Sequence, residues 1–293
     1  MSIREQILNA VSESLDIQIL NLFKEINDHG FESRPRDFLC REIYFKQMAI
    51  DPFYPIVNYE ARKFPFSYLA GELAWYLSMD DDPEYILNFS KFWDALRNDD
   101  GTVNSNYGKL LFPEQLNYAK NELIKDKNTR RGIAFISNPN FQLNHAIDFV
   151  CSMYLNFFIR ENTLHMALKI RSNDIIFGLT YDAPFFSFVM QHMYLWLKKE
   201  KYPDLKLGTY FHFADNIHYY ERHFDMVDNI LIKEPSNGPR FELIKPMFKY
   251  LDNKLTWSAE IRNFIWDVAD IRNIGGLKEQ YIHVMSPWIK IKE

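Results

Sequence analysis

The stretch RSNDIIFGLTYD (171–182) follows LHMALKI (164–170) and runs into a long apolar segment, Ala183 to Lys199. LHMALKI has the aromatic and aliphatic character of a strand, and 183–199 reads as a buried helix. The quoted residues are therefore the turn from strand to helix. Arg171 and Ser172 close the strand, where a guanidinium fork could hold a phosphate. Twenty residues earlier lies Cys151, inside a second strand-like run, FVCSMYLNFFI (149–159).

Outward from this centre, IAFIS (133–137) and LGTYFHF (207–213) read as further strands, and helical spacing recurs over 5–28, 65–78, 84–97, 113–126 and 216–230. In the first of these, Ile7, Leu8, Val11, Leu15, Ile19, Leu20, Leu22 and Phe23 recur at roughly helical spacing, and His29-Gly30 provides a stop. Strands and helices mix without regular alternation, which predicts an α+β fold rather than a doubly wound sheet. No repeat, low-complexity tract or linker divides the chain, so residues 1–293 are expected to form one domain.

With 47% hydrophobic and 16% aromatic residues the chain can bury a large core. The net charge of -5 argues against direct nucleic-acid binding, so an anion site must be local. Cys40 and Cys151 show no paired metal or redox spacing, which fits a reducing compartment. The start MSIREQILNAVSESL lacks the apolar core of a signal peptide, and the longest apolar stretch is too short to span a bilayer. A cytoplasmic protein without a membrane partner is expected, in the host cytoplasm if a phage encodes it.

A cysteine in an apolar run is ordinarily an inert small hydrophobe. Arg130, Arg131 and Arg171 are the basic neighbours that could favour a reactive thiolate at Cys151. Each arginine alone also reads as solvated surface, whereas together with Arg34 and Arg36 they would make an anion clamp. Glu72, in YLAGELAWYL, either points outward or is buried with a raised pKa suited to moving protons. HYYERH (218–223) has two histidines five apart and no evident third ligand, so no metal is expected. P-loop, dinucleotide, HExxH and GxSxG patterns are absent.

Taken in order, Arg130-Arg131-Gly132, Cys151, Arg171-Ser172-x-Asp174 with Gly178 and Asp182, and HYY (218–220) resemble the thymidylate synthase superfamily. The likeness extends through GELAWYL (71–77), FWD (92–94) and NSNYGK (104–109) and covers about residues 34 to 230. It implies a thymidylate synthase-like fold, a mixed twisted sheet with flanking helices, and a homodimer through the sheet whose sites share arginines. It also implies a pyrimidine nucleoside monophosphate as substrate and 5,10-methylenetetrahydrofolate as one-carbon donor.

Carried across position by position, the resemblance makes Cys151 the nucleophile at pyrimidine carbon 6. Glu72 and Tyr107 would manage water and protons. Arg171 and Ser172 would grip the phosphate within the subunit, Arg130 and Arg131 from the partner, and Arg34 or Arg36 would add a contact. His218 and Tyr220 would hold the sugar, while Trp93, Asp94, Asp174 and Gly178 would face the folate.

Two departures point to cytosine. The family's uracil-reading asparagine is Asp182, an acceptor that matches an exocyclic amine and repels the uracil carbonyl. Ser152 stands where synthases have histidine, as in the superfamily's deoxycytidylate hydroxymethylases. The expected reaction converts dCMP to 5-hydroxymethyl-dCMP and tetrahydrofolate. Methylation of dUMP or dCMP, hydroxymethylation of CMP or dUMP, and a non-catalytic nucleotide-binding relative are the alternatives. Asn156 and Ile170 replace customary glutamines, Asp215-Asn216 replaces a glycine-containing turn, and the tail SPWIKIKE (286–293) is not the family's apolar terminus.

Overall fold

The computed structural model describes residues 11–112, 114–143, 146–233, 237–251, 254–257 and 259–292. A six-stranded mixed sheet organises it: β1 (Phe31–Ser33), β2 (Cys40–Ile50), β3 (Ile133–Phe135), β4 (Ser152–Arg160), β5 (Thr163–Asp174) and β6 (Lys206–Tyr220), in the order β1-β2-β6-β5-β4-β3. Only β5 and β6 run parallel. A parallel pair cannot be closed by a hairpin, so the chain crosses over through a helix, Thr180–Glu200. The mixed sheet with helices is the expected α+β architecture.

Four helices matter for the site. Helix α1 (Leu15–His29) starts at Ser14, whose hydroxyl accepts from the Ile17 amide, and buries Ile19, Phe23 and Ile26 on one face. Of the expected helix over 5–28, residues 11–14 are not helical and residues 5–10 lie outside the described residues. Helix α2 (Phe66–Ser78) is buried almost throughout, from Leu69 to Leu77. Helix α3 (Gln115–Lys125) matches the expectation over 113–126, of which Pro113 lies outside the described residues. Helix α4 is the Thr180–Glu200 crossover; its residues Ala183 to Met193 are all buried.

Tertiary pairing redraws three boundaries. The expected helix over 216–230 is strand as far as Tyr220, because β6 is paired on both edges, by β2 and β5, and that ladder outweighs local helical spacing. Helix resumes only at Phe224–Leu231. Strand β4 begins at Ser152, so Cys151 sits in the bend before it rather than within the strand. The segment 84–97 is a short helix, Glu84–Leu87, and a 3-10 turn, Lys91–Leu96, separated by Ser90, whose hydroxyl caps the turn.

Beyond the large sheet, β7 (Arg240–Leu243) pairs with β10 (Ile289–Lys292), and β8 (Phe248–Leu251) with β9 (Lys254–Trp257). Gln191 of α4, 1% exposed, donates to the carbonyls of Pro52 and Phe241 and accepts from the Leu243 amide. It fastens β7 to the central helix. No helix among the described residues is long and apolar enough to cross a membrane.

NSNYG (104–108) is held by two polar knots. Ser105 donates its amide and hydroxyl to Asp148, at 2.7 and 2.6 Å. Asn106, fully buried, donates to the carbonyls of Trp75 and Asp80, each at 2.8 Å, and accepts from Lys109 N at 2.9 Å. The backbone of Gly108 lies so close to the Tyr76 carbonyl that an added Cβ would meet its oxygen at 1.7 Å. These contacts set Tyr107 against α2. Asn106→Ala is expected to cost about 2–4 kcal/mol, since three hydrogen bonds vanish and two buried carbonyls lose their donor. Chemical denaturation followed by circular dichroism measures this, and a loss below about 1 kcal/mol would contradict it.

Candidate active site

The end of β5 and the end of β6 lie side by side, with Ser172 opposite Asn216 and Asp174 opposite His218. Arg171 begins this row. Its backbone N–H donates to the Cys151 carbonyl at 2.9 Å. Its guanidinium donates to the carbonyls of Val150 and Phe149, at 3.1 and 2.5 Å, and stacks over the Phe149 ring. A charged fork is thereby fixed beside the cysteine.

Cys151 is half-buried. Burial raises its thiol pKa, the charges of Arg171 and Arg36 pull it down, and Asp182 and Asp148 push it up. All four groups are therefore close enough to act on the sulfur. The free thiol is protonated at rest, so forming the thiolate needs a nearby proton acceptor.

Two buried carboxyl groups have raised pKa values here. Glu72, 6% exposed on α2, is pushed up to about 8 by burial and then by the charge of Asp182, with hydrogen bonds from Tyr68 and Tyr76 opposing. Asp182, in the first turn of α4, is pushed up to about 7 by burial, while a hydrogen bond from Asn173 opposes. Both change charge near neutrality, as groups that move protons must. The Tyr107 phenol lies beside Ser152 and senses the charges of Asp182 and Cys151.

A hydrogen-bonded string supports Glu72 from behind: the Trp93 indole donates to the Tyr68 hydroxyl at 3.0 Å, and that hydroxyl donates to Glu72 at 2.9 Å. Trp93 thus meets Tyr68 and is 7% exposed. Asp94 faces outward and is paired with Arg97 at 2.9 Å. Asp174 caps the turn after β5 through one oxygen, which accepts from the amides of Ile176 and Phe177. The backbone of Gly178 packs against Asn173.

The sugar and phosphate candidates divide. The His218 Nδ1–H donates to Asn216 Oδ1 at 2.8 Å, since the Asn216 amide nitrogen is committed to Glu42, and Tyr220 lies against Phe38 and the Arg36 guanidinium. Arg36 and Asp37 are both in the left-handed region, φ 52° and 67°. Such strain in two side-chain-bearing residues persists only where the surroundings impose it, and it turns Arg36 toward Tyr220 and Cys151. Arg34 is exposed, and its carbonyl accepts from the Asp37 amide at 3.2 Å. Arg130 and Arg131 are exposed ahead of β3, and neither is among the charges that act on Cys151.

Asn173 and Tyr68 contact the cluster but escaped sequence reasoning. Tyr68 stands one helical turn before Glu72, the i to i+4 spacing that signals a shared face. Asn173 lies inside the quoted signature, masked by its better-known neighbours. His223 is buried against the Phe177 ring, and no group of three or more His, Cys, Asp or Glu among the described residues is arranged to hold a metal.

Comparison with known proteins gives the context. The deoxycytidylate 5-hydroxymethyltransferase of Enterobacteria phage T4 is 29% identical over 176 residues, covering 55% of this chain and 70% of that protein. The deoxyuridylate hydroxymethyltransferase of Bacillus phage SP01 is 26% identical, over 61% of this chain and 46% of that protein. The thymidylate synthase of Buchnera aphidicola (subsp. Acyrthosiphon pisum, strain APS) is 27% identical, over 61% of this chain and 70% of its own length. The sequence profile described as thymidylate synthase matches residues 17–273, and the chain therefore belongs to the thymidylate synthase family.

Proposed function

We propose that this protein is a hydroxymethyltransferase that converts dCMP to 5-hydroxymethyl-dCMP, with Cys151 as nucleophile. The family comprises folate-dependent one-carbon transferases acting on pyrimidine nucleotides. One observation carries the choice of base: the residue beside Cys151 at the base-reading position is a carboxyl, Asp182, tuned to about 7. A carboxyl oxygen accepts from the cytosine amine. Its acid form can also donate to ring nitrogen 3, which must gain a proton as sulfur adds to carbon 6.

The thiol gives up its proton as it attacks, and Glu72 or Asp182 is the group positioned to receive it. As sulfur bonds to carbon 6 the carbon 5–carbon 6 double bond opens, its electron pair shifts toward carbon 4, nitrogen 3 takes up a proton, and the enamine that results has a nucleophilic carbon 5. Arg171 and Ser172, with Arg36, hold the phosphate so that the ring meets Cys151 in one orientation. His218 and Tyr220 hold the sugar. Methylenetetrahydrofolate, when bound, supplies the one-carbon unit. The second oxygen of Asp174, unused in capping, and the neighbouring backbone of Gly178 fit a donor-bearing pterin edge. Trp93 acts on that side through Tyr68. Glu72 then orders the water that adds to the exocyclic methylene.

Exposed aromatic residues on the strands, Tyr44, Phe45, Phe135 and Tyr154, support a sheet-to-sheet dimer, which would bring Arg130 and Arg131 to the partner's phosphate. Mixing Cys151→Ser with Arg130→Ala/Arg131→Ala protein is then expected to restore activity that neither has alone. Assay of the remixed sample tests this; no recovery in a verified heterodimer excludes shared sites.

Incubation with methylenetetrahydrofolate and either dCMP or dUMP, followed by mass spectrometry, tests the reaction itself. The expected product is dCMP heavier by a hydroxymethyl group, without oxidation of the folate to dihydrofolate. Cys151→Ser is expected to lower kcat about a thousandfold or more. Asp182→Asn should move the preference toward dUMP by roughly 10- to 100-fold, and an unchanged preference would show that the base is read elsewhere.

Glu72 and Asp182 bind protons in the native state at pH values where the unfolded chain has released them. Stability is therefore expected to fall as pH rises from the ordinary carboxylate range through about 8. Glu72→Gln removes its share of that slope while lowering kcat about 10²–10⁴-fold. Thermal melts at acid and alkaline pH read the first effect; equal slopes in both proteins would mean that Glu72 is ionised at rest.

A further inference from the structure

A buried string of polar groups behind Asp182 has no part in the steps above. The Asn173 side-chain N–H donates to Asp182 Oδ2 at 2.7 Å. That choice fixes the amide, so Asn173 Oδ1 faces His212 Nε2 at 3.1 Å, and this nitrogen must carry the hydrogen. Burial holds the ring neutral, with its pKa lowered to about 3, so Nδ1 accepts, and the Tyr210 hydroxyl donates to it at 2.8 Å. Tyr210 and His212 are fully buried and Asn173 is 2% exposed. The direction of donation is thus one-way, from Tyr210 to the carboxyl. Gly178 makes room for it, since a Cβ there would come within 2.7 Å of the Asn173 nitrogen.

We propose, resting on the cytosine reading above, that Asn173 fixes which oxygen of Asp182 can hold a proton and so decides which pyrimidine the site accepts. A free carboxylic acid has interchangeable oxygens. It could serve cytosine, accepting from the amine and donating to nitrogen 3, or uracil, accepting from the ring N–H and donating to the carbonyl. With the ring held at carbon 6 and at the phosphate, the exocyclic group and nitrogen 3 each meet a set oxygen. The Asn173 N–H keeps Oδ2 an acceptor, and any proton resides on Oδ1. We assign Oδ2 to the exocyclic position, where the cytosine amine donates to its remaining lone pair and the uracil carbonyl meets lone pairs only. Asn173 is a positioning residue, and His212 with Tyr210 keeps its amide from turning over.

The test compares kcat/KM for dCMP and dUMP, across pH, in wild type, Asn173→Leu and Tyr210→Phe. Asn173→Leu is expected to reduce the preference for dCMP about tenfold, chiefly by faster dUMP turnover. The Asp182-dependent limb of its pH profile should also move upward, because the donor that lowers this pKa is gone. Tyr210→Phe deletes one oxygen from an otherwise kept packing, and should shift the preference the same way by less; it carries the test should Asn173→Leu fail to fold. Equal loss on both substrates with an unmoved limb overturns the inference while dCMP turnover by wild type leaves the function standing. A wild type that turns over only dUMP overturns the function and with it the assignment of Oδ2.

Discussion

Parallel pairing of β5 with β6 is the constraint on which the site depends. It sets Arg171 to Asp174 beside Asn216 to His218, so that groups more than forty residues apart in the chain share one ledge. It also obliges the chain to leave β5 through a long crossover. The first turn of that crossover carries Asp182, and a wide π-type stretch over Ile175–Leu179 leads into it. Such a turn, frequent where function bends a helix start, swings Asp182 back over the strand that precedes it. The positions of Arg171 and of Asp182 are therefore products of one topological decision.

Around this ledge the protein accepts an electrostatic cost. Two carboxyl groups share an interior with a thiol, and the charge of Asp182 raises the pKa of both Glu72 and Cys151. A structure selected for stability alone would bury apolar groups there. The cost is offset by the apolar mass of α2 and α4, and by side-chain hydrogen bonds such as those of Tyr68 and Asn173, which keep the carboxyls oriented without ionising them fully. Local stability and readiness to exchange protons are opposed here, and the surrounding core settles the contest.

Much of this was legible from residue order. The strand-turn-helix character of 164–199 and the twenty-residue interval from Cys151 to Arg171 are local facts, and they located the central crossover and the cysteine's basic neighbour. What escaped was decided by partners remote in sequence. His218 and Tyr220 carry helical spacing, yet ladders on both edges make them strand. Cys151 looks like mid-strand, yet the strand opens one residue later, where the chain bends to offer its carbonyl to Arg171. Asn173, His212 and Tyr210 are unremarkable separately, because hydrogen-bond direction is a property of the assembled string.

The Gln191 amide has a wider consequence. It lies nine residues beyond Asp182 on the same helix and grips both Phe241 and Leu243 of β7, the strand on which the chain's final strand is laid. Strand β10 and the helix bearing Asp182 are thus mechanically linked. A change in β10 therefore bears, through β7 and Gln191, on the helix whose first turn carries Asp182.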